Sequence, residues 1–99
     1  MKVVITTPAR LDLLEIAQYI ANDSVDRAVS FTEELVDQCY AIGDFPKAYP
    51  LIPRYEKHGV RRCVHRNHLI FYRIRSRQVD ILRIVHGARD YLRLLFPGE

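Results

Sequence analysis

The residues in this sequence that could do chemistry are arginines and histidines crowded into its second half. Arg61, Arg62, Arg66, Arg73, Arg75, Arg77, Arg83 and Arg89 are interspersed with His58, His65, His68 and His86. A guanidinium presents a planar fork of donors that takes carboxylates and phosphates two oxygens at a time, so a run of arginines is chemistry for gripping something acidic. Imidazole titrates near neutrality, which makes His65 and His86, with the phenol of Tyr91, the candidates for moving protons. No glycine-rich phosphate loop or nucleophile elbow occurs. Cys39 and Cys63 lack metal-type spacing, and His65 and His68 could meet across a turn but have no carboxylate or cysteine nearby in sequence. Neither a metal site nor a cofactor is expected.

Charge divides along the chain. Residues 1 to 44 carry eight acids and three bases, a net of −5, whereas residues 45 to 99 carry twelve bases and four acids, a net of +8. The modest total of +3 therefore conceals a dipolar molecule suited to nucleic acid, a nucleic-acid enzyme or an acidic protein segment. Ninety-nine residues make one domain, spanning 1–99, with a single core. The longest apolar run is the four residues Leu69 to Tyr72, so neither secretion nor membrane insertion is expected. The two cysteines read as small buried residues of a reducing compartment, and the chain as cytoplasmic.

The elements that must position these side chains follow from hydrophobic period and turn chemistry. The β-branched run Val3 to Thr6 predicts a strand, stopped by Thr7-Pro8, which can open a helix. Leu13, Ile16, Ala17 and Ile20, widened by Leu14 and Ala21, have helical spacing, with Asp12, Glu15 and Gln18 outside the stripe. Asn22-Asp23-Ser24 breaks and recaps, and Ala28, Phe31, Leu35, Cys39 and Ile42 form the stripe of a second helix ending at Gly43. Pro46, Pro50 and Pro53 make residues 44–59 an ordered loop anchored by aromatics. Three strands follow, Val60 to His65, His68 to Arg75 and Val79 to His86, with turns at Arg66-Asn67 and Ser76-Arg77-Gln78. The expected fold is α+β, with order β-α-α-β-β-β: an antiparallel sheet with an antiparallel helical hairpin on one face.

A hairpin covers one face of a sheet only. Leu69, Phe71, Arg73 and Arg75 fall on the other, which the C-terminal segment with Leu92, Leu94, Leu95 and Phe96, or another protein, should cover. A three-residue turn after Arg75 aligns Arg83 with Arg73 and Arg75, and a two-residue turn sends it to the face of Ile70 and Tyr72.

This order of elements, with Leu69-Ile-Phe-Tyr-Arg-Ile-Arg75 followed by Val79-Asp-Ile-Leu-Arg-Ile-Val-His-Gly-Ala-Arg-Asp90, resembles the RelE/ParE superfamily of bacterial toxins across essentially the whole chain, and its ending is more like the ParE branch. The resemblance implies a toxin of a type II toxin-antitoxin system. RelE-like members cut messenger RNA in the ribosomal A site, ParE-like members block DNA gyrase, and both are neutralised by a cognate antitoxin. RNA cleavage needs a base, an acid and a stabiliser of phosphorane charge. Arg89 matches the post-strand arginine of RelE-like enzymes, but Val64 stands at the position of a RelE-like strand arginine and about Leu95 at that of the C-terminal tyrosine. The expectation is therefore a gyrase inhibitor that is not an enzyme, neutralised by a ParD-like antitoxin, with Arg61, Arg62, Arg73, Arg75, Arg83 and Arg89 as partner-binding residues. The alternatives are a ribosome-dependent endoribonuclease using Arg89, His86, Tyr91 and His65, and a non-toxic module that only binds. The simplest structural role for Arg89-Asp90 is to pin the C-terminal segment through an ion pair or cap.

Overall fold

A computed structural model describes all residues, 1–99. Strand β1 (Lys2–Ile5) leads into helix α1 (Thr7–Ala21), which folds back as α2 (Val25–Ile42). After the proline-broken loop and one 3-10 turn, Glu56–His58, come β2 (Val60–His65), β3 (His68–Arg75), β4 (Gln78–His86) and a short α3 (Tyr91–Leu95). The sheet order is β1-β4-β3-β2, with β2, β3 and β4 antiparallel and β1 parallel to β4. The α+β class and element order are those expected, but the sheet is mixed. The two-helix crossover carries the chain from the end of β1 to the far edge, so the β4 strand that returns beside β1 runs in the same direction.

Local chemistry accounts for the joints. Ser24 caps α2, accepting from the Arg27 amide at 3.1 Å. Thr6, preceding α1, makes no side-chain cap and instead donates its hydroxyl to the Ile81 carbonyl at 2.6 Å, fastening the helix entry to the sheet. Gly43 has no substitute: a Cβ there would lie 2.6 Å from the Met1 carbonyl and 2.7 Å from Val3 Cγ2.

The α2 stripe is buried as expected, with Leu35, Cys39 and Ile42 fully inaccessible. It packs with Ile5, Ala9, Phe31, Cys63, Ile70, Tyr72, Val79, Ile81 and Ile84 into the main core. Tyr72 satisfies its buried hydroxyl by donating to the Pro46 carbonyl at 2.6 Å. Both cysteines are free and buried, and burial pushes the Cys39 thiol up to about 12, so it is inert. The α1 stripe is shifted from expectation: Leu14 is exposed and Asp12 is buried on the core side, one turn from Ala9 and Ile16.

The second face of the sheet carries a smaller cluster, Ile52, Val60, Leu69, Phe71, Val85 and Phe96. Its cover is the C-terminal segment, one of the two expected covers, joined by the loop residues Ile52 and Tyr55. Tyr91 lies over Phe71 at 4.9 Å between ring centroids, Phe96 stacks on Tyr55 at 4.6 Å, and Glu99 accepts from His58 at 2.7 Å.

Two details of β4 correct its expected course. The β3–β4 turn is Ser76-Arg77 alone, both with positive φ (50° and 60°), which places Gln78 in the strand opposite Arg75. Farther along, Phe71 pairs with Arg83 but Tyr72 with Ile81, leaving Leu82 as a bulge. The bulge lets Ile81 and Ile84 both enter the main core while Leu82 joins the second cluster.

Candidate functional site

The six arginines expected to bind partners are dispersed, and half of them are used internally. Arg83 makes two parallel bonds to Asp12, Nε to Oδ2 at 2.7 Å and Nη2 to Oδ1 at 2.8 Å, while the Ile84 amide donates to the same carboxylate at 2.8 Å. The cause is β1, which pairs with β4 only as far as Ile81, so beyond that point the edge of β4 is open and Asp12 of α1 closes it. Hydrogen bonding to Asp12 raises the Arg83 pKa, and the pair sews α1 to the sheet. The register sets Arg83 opposite Phe71, on the face of Arg73 and Arg75, yet its guanidinium reaches Asp12 of the helical hairpin. Arg61 is also structural: it points to the hairpin side and donates to the Tyr49 carbonyl at 2.7 Å, holding the proline loop. Arg62 donates to the Tyr91 hydroxyl at 2.8 Å and anchors the C-terminal segment on the second face.

Arg73 and Arg75 remain on the second face beyond that cover. Arg73 is exposed, with no ion pair or side-chain hydrogen bond, and Arg75 is two-thirds exposed (66%) with one bond to Asp80 at 3.1 Å. Arg77 follows at the hairpin tip. With Val64 61% exposed at the other end of the sheet, this face offers the unpaired guanidinium of Arg73, and that of Arg75 shared with Asp80, beside partly covered apolar surface. Arg89 is elsewhere. It lines a groove of about 490 Å³ between α1 and the open edge of β4, with Ile16, Tyr19, Ile84 and His86. It makes no ion pair, and Asp90 makes no side-chain cap to α3, so the pinning role expected of these two is carried by Arg62, Tyr91 and Glu99.

The candidate proton carriers are split between the two faces. Tyr91 sits on the second face, its hydroxyl taken by Arg62 and its ring by Phe71. His65 lies on the hairpin side, bound to Glu34 at 3.2 Å; Glu34 also accepts from Arg66 at 2.9 Å, and these bonds hold its pKa below the usual carboxylate range, the arginine contributing most. His65 and His68 do face each other across β2 and β3, and His68 in turn faces His86 across β3 and β4. The result is a row of three imidazoles that single-sequence spacing could only half reveal. Burial holds the His68 pKa below the ordinary histidine value, aided by His86 and His65, and its Nδ1 is buried with no hydrogen-bond partner. His86 accepts from the Ala88 amide through Nδ1 at 3.1 Å, which places its ring proton on Nε2. No group of three or more potential ligands is arranged to hold a metal ion, and no helix is long and apolar enough to cross a membrane.

Compared with known proteins, the chain matches over residues 3–91 the family model described as the ParE toxin of the type II toxin-antitoxin system parDE. No curated protein sequence matches it. Among solved structures it is similar to the chromosomal ParDE toxin-antitoxin system from P. aeruginosa, with a TM-score of 0.71 at 22% identity over 87% of this chain and 95% of that one. It is also similar to the RelBE2 toxin-antitoxin complex from Mycobacterium tuberculosis, with a TM-score of 0.63 at 24% identity over 86% and 95% of the two chains.

Proposed function

Because the chain belongs to the ParE toxin family of type II toxin-antitoxin systems, we propose that it is a cytoplasmic toxin that acts by binding, arresting DNA gyrase without catalysing a reaction of its own. The observation that carries this reading is the separation of the Tyr91 phenol from the histidine row. Cleaving RNA requires an acid, a base and a charge stabiliser within roughly 3 Å of the atoms of one phosphodiester. Here Tyr91 is on one face of the sheet, with its hydroxyl engaged by Arg62, while His65 and His86 are on the other. A protein that works by holding its target needs only complementary surface.

The same reading supplies a ParD-like antitoxin. Its disordered C-terminal part folds over the toxin, bringing apolar anchors to the exposed rim of the second face and acids to Arg73 and Arg75. Arg89, exposed in the groove beside α1, is left for the target. Arg61, Arg62 and Arg83 act in this scheme by holding the surfaces in shape.

Purified chain mixed with gyrase and plasmid tests the proposal. Supercoiling should fail, and the antitoxin should restore it. Unimpaired gyrase, together with messenger RNA cut only in translating ribosomes, would overturn the reading in favour of a ribonuclease built on Arg89 and His86.

A further inference from the structure

At the end of the sheet where β2 turns into β3, a cleft of about 230 Å³ is bounded by Arg27, Phe31, Arg66, Asn67, His68 and His86, with Ile20 at its side. Its polar lining is composed of cations, potential cations and one amide, and no carboxylate lines it. Arg27 has no acidic partner; its guanidinium is placed over the Phe31 ring, 5.5 Å from the centroid, in the first turn of the 18-residue α2. Arg66 commits its Nε to Glu34, which fixes the side chain and leaves its terminal nitrogens to donate. The turn itself holds Arg66 at a φ of 54°, a left-handed conformation that asparagine or glycine would adopt at less cost. His86 directs its proton to Nε2, and His68 lies beside it, ring centroids 5.3 Å apart, with an unpartnered Nδ1.

We propose that this cleft is a phosphate-binding site. Residues from α2, the β2–β3 turn and the end of β4 line it and carry the donors: two guanidinium groups, Asn67 and the His86 ring. A carboxylate has two oxygens and cannot saturate that set, whereas the oxygens of a phosphate can, and guanidinium forks match its geometry. The ligand class is a phosphate group, either free or in the backbone of a nucleic acid. The charged groups around it are Arg27 and Glu34 from α2, His65 from β2, Arg66, His68 and His86, with Asp12, Glu15 and Arg89 in the adjoining groove. Arg83 offsets Asp12 and Arg66 offsets Glu34, so the uncompensated charge at the cleft is that of Arg27, with Arg89 set against Glu15 in the adjoining groove. A bound anion favours protonation of His68, whose pKa burial holds down, so affinity rises as pH falls below the ordinary histidine range.

The site is independent of the toxin's target, since a chain with no effect on gyrase would still titrate with phosphate. The test uses histidine-ring NMR of the full chain with inorganic phosphate added at an ionic strength held constant with chloride. The His68 and His86 rings should shift saturably, and His58, on the opposite face, should not. Arg27→Gln should raise the apparent Kd about tenfold, which is about 1.4 kcal/mol, with an unchanged melting temperature; Arg66→Gln repeats the test should that variant fail to fold. A short DNA duplex that competes more strongly than inorganic phosphate, with an affinity that falls with salt, would make the backbone the natural source. Equal competition would make it free phosphate. Absence of a saturable shift at His86, or a poly-glutamate peptide binding at least as tightly as either phosphate source, would overturn the proposal.

Discussion

The two faces of the sheet are built differently. The hairpin face carries twelve buried cluster residues beneath helices of 15 and 18 residues, and polar bonds cross it: Asp12 to Arg83, Glu34 to Arg66 and His65. The second face has six buried cluster residues under a five-residue helix and a loop, held at the edges by Arg62 with Tyr91 and by His58 with Glu99. A long amphipathic hairpin buries its stripe cooperatively, whereas a five-residue helix is too short to be stable unless it is docked. Stability therefore resides on the hairpin face. The second face keeps exposed arginines beside a short cover, and it is the face the proposed antitoxin contact uses.

The contrast is tested most severely by cutting into each core. Leu35→Ala on the hairpin face should cost about 3 to 4 kcal/mol, in the range for a fully buried leucine. Phe96→Ala on the second face should cost only about 1 to 2 kcal/mol, because the short cover can loosen locally without unfolding the domain. Denaturant unfolding measures both, and equal losses would mean that the two faces form one cooperative unit. Next in size is Asp12→Ala, expected to cost about 3 kcal/mol because it strands the Arg83 guanidinium and the Ile84 amide together. Arg83→Ala should cost less, since Asp12 keeps its bond to Ile84, and the reverse order would contradict the role given to Asp12. Reversing charge on the second face, with Arg73→Glu and Arg75→Glu, should cost about 1 to 3 kcal/mol, because it strands the buried carboxylate of Asp80. It should weaken antitoxin binding about tenfold or more and flatten its dependence on salt. Unchanged affinity would remove these residues from the interface.

The smallest effect is that of pH on the histidine row. The folded-state pKa of His68 is depressed by burial, so its contribution is fully present above the ordinary histidine range near 6.5 and is lost as pH falls through the depressed value. His68→Gln should flatten the fall in melting temperature between neutral and mildly acidic pH. A wild-type stability that does not fall over that window would contradict the burial of this ring.

Period and turn chemistry carried most of the fold. The α2 stripe, the bounds of β2 and β3 and the hairpin are readable, and the C-terminal segment is one of the two covers the sequence allows for the second face. What escaped was local and depended on tertiary context. Ser76-Arg77 forms a two-residue turn with both residues left-handed, yet neither is the glycine or asparagine that announces one. Strict alternation along β4 failed because Leu82 is a bulge, and a bulge leaves no period of its own. Asp12 was placed outside the α1 stripe for its charge, although its steps from Ala9 and to Ile16 are those of a core-facing residue; its partner lies 71 residues away. The arginines were legible as a class but not individually, since whether each one serves the fold or a partner depends on what stands opposite it.

The central claim, that this chain poisons DNA replication by binding and not translation by cutting, is tested most directly by pulse-labelling after inducing it without antitoxin. Thymidine and methionine incorporation are followed in the same cells. The account predicts that thymidine incorporation falls first, with methionine following. Methionine incorporation failing first would contradict it and move Arg89 and the histidine row from binding to catalysis.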